Sequence, residues 1–83
     1  MPFCVYILYS PTKNKYYVGS CENIEIRLGQ HNSGRNLSTK FGVPWELVKT
    51  ETFEARSAAV KREAFIKKMK SKAFIKKIID GER

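Results

Sequence analysis

The sequence predicts an α+β fold: a small, mostly antiparallel three-stranded sheet flanked by helices, in the order β-hairpin, helix, strand, helix, helix. Three observations predict it. Residues 3–9 form an unbroken apolar run of β-branched and aromatic side chains, as in a strand buried on both faces. A Pro- and Asn-marked turn separates them from a second such run, which makes a hairpin. From Glu54 onward the apolar residues recur at helical spacing instead.

Each element has its own signals. Residues 10–15 carry turn chemistry, with Pro11 fixing φ and Asn14 tolerating the left-handed region. Residues 16–20, Tyr-Tyr-Val-Gly-Ser, are the second strand. Asn23 can cap a helix reaching about Asn32, with Ile24 and Leu28 on one side and Gly34 as the stop. Residues 35–44 are polar and marked by Gly and Pro, a loop. Residues 45–53 are rich in Trp, Val, Thr and Phe, a third strand. Ala55, Ala58, Ala59, Phe65, Ile66 and Met69 form one helical stripe; Phe74, Ile75, Ile78 and Ile79 form a second. Ala-Phe-Ile-Lys-Lys occurs at 64–68 and again at 73–77. On one straight helix this offset would put the copies on opposite sides, so a break near Ser71, itself a possible N-cap, is expected.

The length of 83 residues allows one domain, 1–83. Sixteen Lys and Arg against eight Asp and Glu give a formal charge of +8, a field that favours a polyanionic partner. The start of the chain lacks the basic region and cleavage site of a secretory signal. No apolar run approaches the ~20 residues needed to span a bilayer. The two cysteines, Cys4 and Cys21, form no C-x-x-C, and with one histidine they cannot complete a four-ligand zinc site without a carboxylate. Reduced thiols in a cytoplasmic protein are expected.

Candidate chemistry is scattered along the chain. In a hairpin register with an odd index sum, Tyr6 and Tyr17 share a face; with an even sum they do not. One odd register sets Gly19 opposite Tyr6, leaving room beside the phenol, and Cys4 opposite Cys21. A Tyr pair in a strand is also ordinary packing. Arg27 and His31, the only histidine, project from one helix face at i,i+4. From Lys61 to Lys77 there are eight basic residues and one acid, Glu63. Glu63 either pairs with Lys67 at i,i+4 or, left unpaired among cations, ligates Mg²⁺.

Taken in order, these residues resemble the GIY-YIG nuclease superfamily. Cys4-Val5-Tyr6 resembles the GIY element, with Cys4 in place of its glycine, and Tyr17-Val18-Gly19 resembles YIG, with Val18 and Gly19 as structural members. Arg27, His31 and Glu63 fall where the family places its helix arginine and histidine and its metal-binding glutamate. Trp45-Glu46-Leu47-Val48 is similar to the superfamily's third strand. The likeness covers nearly the whole chain and is to small standalone members and to the nuclease domain of the excinuclease C protein. The asparagine that many members carry downstream is absent here; its role is either missing or passes to Ser71 or a lysine. No second DNA-binding module accompanies the motif.

The resemblance implies a metal-dependent endonuclease that hydrolyses phosphodiester bonds in nucleic acid, DNA first, with Mg²⁺ or Mn²⁺ on Glu63. Tyr6 would be the base, its pKa lowered by a nearby metal or cation or its proton passed on through His31. Tyr17 would hold the phosphate or the water, and Arg27 would stabilise the non-bridging oxygens. Arg35, Lys40, Lys67, Lys70 and Lys72 are the expected backbone contacts, and a further protein partner supplying specificity fits the missing module. Two rivals remain: a basic binding module without activity, and attachment of the C-terminal helices to anionic membrane.

Overall fold

Val5, Tyr6, Ile7 and Leu8 are each 1% exposed or less, which a strand achieves only at the middle of a sheet covered on both faces. The structure, a computed structural model, describes residues 2–37 and 39–81. In it β1 (Phe3–Ser10) lies between β2 (Lys15–Cys21) and β3 (Glu46–Phe53), antiparallel to both. Three helices follow the expected order: α1 (Ile24–Asn32), α2 (Arg56–Met69) and α3 (Lys72–Ile79). The expected α+β fold is the one found. The hairpin takes the odd register, pairing Tyr6 with Gly19, Leu8 with Tyr17 and Cys4 with Cys21.

The alternation of β1 divides the interior into two layers. Val5 and Ile7, with Val18 of β2, meet Ala59 and Ile66 of α2 and Ile78 of α3. On the other face Tyr6 and Leu8 meet Trp45, flanked by Tyr17, Ile24, Leu28 and Val43. Each layer is thin, so one buried aliphatic at roughly 1.5–3 kcal/mol is a large share of a total near 5–15 kcal/mol.

The helix ends follow local chemistry. The Asn23 side chain accepts from the Ile26 N–H at 3.1 Å and opens α1. Lys70 takes a left-handed conformation (φ 48°) and ends α2, and Ser71 then caps α3 by accepting from the Phe74 N–H at 3.1 Å. The break thus falls where the repeated pentapeptide requires one.

Two expectations need correction. The first helical stripe is narrower than predicted: Phe65 and Met69 are 47% and 44% exposed. Helix α2 rests on the sheet through Ala59 and Ile66, two turns apart on one side, and Phe65 stands about 100° around from Ile66. Its ring pairs instead with Phe74, 5.8 Å away across the α2–α3 break. The segment 35–44 is also more than a polar loop. It carries a 3₁₀ turn, Lys40–Gly42, and buries Thr39 and Gly42. Trp45 explains this. Its indole N–H donates to the Thr39 carbonyl at 2.8 Å, and a Cβ on Gly42 would collide with the indole ring. Asn32 of α1 pins the same residue, accepting from its N–H at 2.6 Å and donating to its carbonyl at 3.1 Å.

Candidate active site

Gly19 opens the site. A Cβ there would collide with Tyr6 Oη, so only glycine lets the phenol lie flat across β2. The phenol then reaches His31 of α1, Oη to Nε2 at 3.0 Å, and the other ring nitrogen, Nδ1, meets Thr39 Oγ1 at 2.9 Å. Tyr6, His31 and Thr39 are all 1% exposed or less. Either neutral tautomer of the imidazole makes both bonds. With Nε2 accepting, Tyr6 donates to it and Nδ1–H donates to Thr39. Tyr17 completes the aromatic wall; its ring centroid lies 4.9 Å from that of His31 and 6.3 Å from that of Tyr6.

Glu63 enters from the opposite layer. Its Oε1 accepts from the Ser20 hydroxyl at 2.6 Å and its Oε2 from the Lys67 ammonium at 2.6 Å. Because β2 is an edge strand, the two layers meet around its free side. Lys67 spans them, bonding Glu63 while its Nζ lies 5.7 Å from the centre of the Tyr17 ring. The exposed guanidinium of Arg27 acts on both sides as well, through its charge on Tyr6, His31 and Glu63. All five expected site residues therefore gather at one edge of the sheet. They do so around that edge rather than on a single face, because Glu63 shares the α2 layer with Ser20.

The electrostatics follow from burial and from these two cations. Burial holds the Tyr6 phenol well above the usual phenolic range, Tyr17 adds to this, and Arg27 offsets only part of it. Burial and then Arg27 push His31 below its usual value, so the imidazole is neutral near pH 7. For Glu63, burial acts upward, but Lys67, Ser20 and Arg27 together outweigh it and hold the carboxyl below the usual range. Glu63 is thus paired, not unpaired as its metal-binding reading supposed.

The expected backbone contacts split into two groups. Lys67, Lys70 and Lys72 line a groove with Tyr17, whereas Arg35 borders a separate cleft beside α1 and Lys40 lies over the ring of Phe41 at 4.9 Å. Ser71 is engaged as the α3 cap, leaving Lys67 as the side chain at the glutamate. Cys4 and Cys21 are free thiols with sulfurs 3.6 Å apart. Burial and Cys4 push the Cys21 thiol up to about 11. Thr39 and Ser20 were missed. Thr39 stands eight residues beyond His31 in a segment with no periodic signal, whereas Ser20, next to Gly19 on the α2 side of β2, could have been found from the strand alternation.

A family model described as the GIY-YIG catalytic domain matches residues 2–78. The chain belongs to the GIY-YIG family. It is 46% identical over 67 residues to a UPF0213 protein of Syntrophus aciditrophicus, covering 78% of this chain and 76% of that one. It is 36% identical over 67 residues to a protein of Phaeosphaeria nodorum named structure-specific endonuclease subunit SLX1, covering 74% of this chain and 18% of that protein. The solution NMR structure of a UPF0213 protein from Bacillus halodurans superposes with a TM-score of 0.61 at 26% identity, over 96% of this chain and 84% of that one. The GIY-YIG domain is a nuclease domain, and the chain is accordingly an enzyme of that family. Among the described residues, no helix is long and apolar enough to cross a membrane.

Proposed function

We propose that this GIY-YIG chain is a metal-dependent endonuclease that hydrolyses phosphodiester bonds in nucleic acid, DNA first, and that residues 1–83 act as one domain in a reducing cytoplasm. The observation that carries the reading is the buried Tyr6–His31 bond opening onto Arg27, whose charge also reaches Glu63.

Tyr6 cannot rest as a phenolate, because burial raises its pKa. The pair instead works as a relay. The phenol oxygen accepts a proton from the attacking water as its own proton passes to His31 Nε2. The neutral imidazole is the proper sink near pH 7, and Thr39 holds its other nitrogen. Arg27 stabilises charge on the non-bridging oxygens, and Tyr17 positions the phosphate or the water. Charge on the remaining backbone is met by Lys70, Lys72, Arg35 and Lys40.

Among the described residues, no three His, Cys, Asp or Glu side chains gather as a metal cluster. That donor set does not fit zinc, but one carboxylate that already attracts an ammonium fits a hydrated Mg²⁺ or Mn²⁺, which takes its other ligands from water and phosphate. Glu63 would hold the ion. When bound, it supplies Lewis-acid polarisation of the scissile phosphate.

In a rival reading the Glu63–Lys67 pair is permanent and the chain only binds nucleic acid. Labelled single-stranded, duplex, flap and branched DNA and RNA, incubated with Mg²⁺, Mn²⁺ or EDTA, separate the two. Cleavage that requires the metal and is absent in EDTA is expected; binding without cleavage of any substrate overturns the nuclease reading. The name of the fungal relative, a subunit, supports a partner protein that adds specificity.

A further inference from the structure

A groove of about 540 Å³ follows the free edge of β2 from the hairpin turn to the proposed active site. Apolar and aromatic side chains line it: Tyr16, Tyr17 and Val18 from β2, Ile66 from α2 and Ile75 from α3. Its other side chains include Lys15, Lys67, Lys70 and Lys72, and no carboxylate is among them. At one end Tyr16 packs against Tyr9, with ring centroids 5.1 Å apart and the rings tilted by 47°. At the other end are Tyr17, which packs on His31, and Lys67, which is bonded to Glu63. The turn is fixed to the helices by the Lys72 ammonium, which donates to the Asn14 carbonyl at 2.7 Å.

We propose that this groove binds an unpaired nucleic-acid strand and delivers it to the active site. Its placement on a substrate path rests on the nuclease reading. The physical argument is the pairing of an apolar lining with a lysine rim. A duplex buries the faces of its bases and offers only phosphates and base edges to such a surface. An unpaired strand offers both its phosphates to the lysines and its base faces to Tyr16 and its apolar neighbours, the combination found in single-strand sites. A cleft of about 520 Å³ between α1 and α2 differs. It is lined by Arg27, Arg56 and Glu22 and has no aromatic ring except Phe3, which Arg56 covers.

The test is fluorescence anisotropy of the intact chain in EDTA, where binding is read without cleavage. The probes are labelled oligothymidylate and oligouridylate of about 12 nucleotides, within the ~4–16 nucleotide range of single-strand sites, and a duplex of equal length. Tighter binding of the single strands is expected, and the two arms identify DNA or RNA as the source. Tyr16→Ala should weaken single-strand binding by about five- to a hundredfold and leave duplex binding nearly unchanged. Lys70→Gln, on an exposed residue that no packing depends on, should lower the slope of log affinity against log salt by about 0.7. Equal affinity for duplex and single strand, no effect of either variant on single-strand binding, or displacement of the oligonucleotide by phosphatidylglycerol vesicles would each overturn the proposal. A wild type that binds single strands selectively but cleaves nothing in Mg²⁺ sinks the nuclease reading and leaves the groove standing. One that cleaves but does not discriminate does the reverse.

Discussion

Replacing Glu63 by Gln removes a charge while keeping the shape and one acceptor oxygen, so its cost can be worked from the contacts. The Lys67 ammonium, half exposed, loses an i,i+4 partner, about 0.3–0.5 kcal/mol after solvent screening. The Ser20 hydroxyl keeps an acceptor, but a neutral one, which costs roughly another 0.5–1 kcal/mol. The fold should therefore lose about 1 kcal/mol, or on the order of 4–8 °C in melting temperature for a domain of this size. A Glu63 that stood unpaired at a metal site would instead make its removal neutral or stabilising in the absence of metal. Activity should respond far more. If Glu63 holds the metal, several kcal/mol of transition-state stabilisation go with it, and cleavage under Mg²⁺ should fall by more than about a hundredfold. Nucleic-acid affinity at fixed salt should stay equal or rise, since one repulsive charge has gone. Cleavage rate, anisotropy and thermal melting measured side by side separate these terms. A variant that cleaves at the wild-type rate refutes the metal assignment; one that melts at or above the wild-type temperature refutes the pairing.

Further outcomes follow from the same contacts. Gly19→Ala forces a methyl into Tyr6 Oη, so it should cost about 1–3 kcal/mol in chemical denaturation and disable cleavage even where the chain folds. Thr39→Val leaves His31 Nδ1 buried without its partner, at roughly 1–3 kcal/mol, whereas Thr39→Ser should restore the bond; ¹⁵N spectra of the imidazole should show a changed tautomer population in the Val variant only. The folded His31 binds its proton more weakly than the unfolded chain does, so its contribution to stability is present above about pH 6.5 and is lost as pH falls. The acid limb of the cleavage profile should accordingly lie below the usual histidine value, which a pH–rate series under Mg²⁺ checks. With its thiol pushed up to about 11, Cys21 should alkylate slowly at pH 7, and mass spectrometry of protein isolated without reductant should find both thiols free.

The local features of the fold were legible in the sequence because local chemistry decides them. The apolar run of β1, the Asn23 and Ser71 caps and the break between the repeated pentapeptides each depend on residues within a few positions of one another. The order of the site residues was legible too, since Tyr6, Tyr17-Val18-Gly19, Arg27, His31 and Glu63 follow a recognisable pattern. The odd hairpin register, centred on the Pro11–Asn14 turn, was legible as a choice between two, and it is the one found. The packing of Tyr6 against a residue without a Cβ accompanies the register found.

What only the tertiary structure decided is which surfaces meet. Periodicity puts Ser20 and Gly19 on opposite faces of β2, but it cannot say that β2 is an edge strand, around which Glu63 and Tyr6 can approach one site. Nor can it say that the segment after α1 folds back to place Thr39 on His31, because that contact depends on Asn32 and Trp45 at the two ends of the segment bonding to each other and Trp45 bonding to Thr39. For Glu63 the i,i+4 pair with Lys67 was one of two readings open to the sequence, but its other partner, Ser20, lies 43 residues away and could not be read from spacing. Short-range preferences determine where helices and strands begin and end. Long-range packing determines which side chains come within hydrogen-bonding distance, and the chemistry of the site depends on those distances.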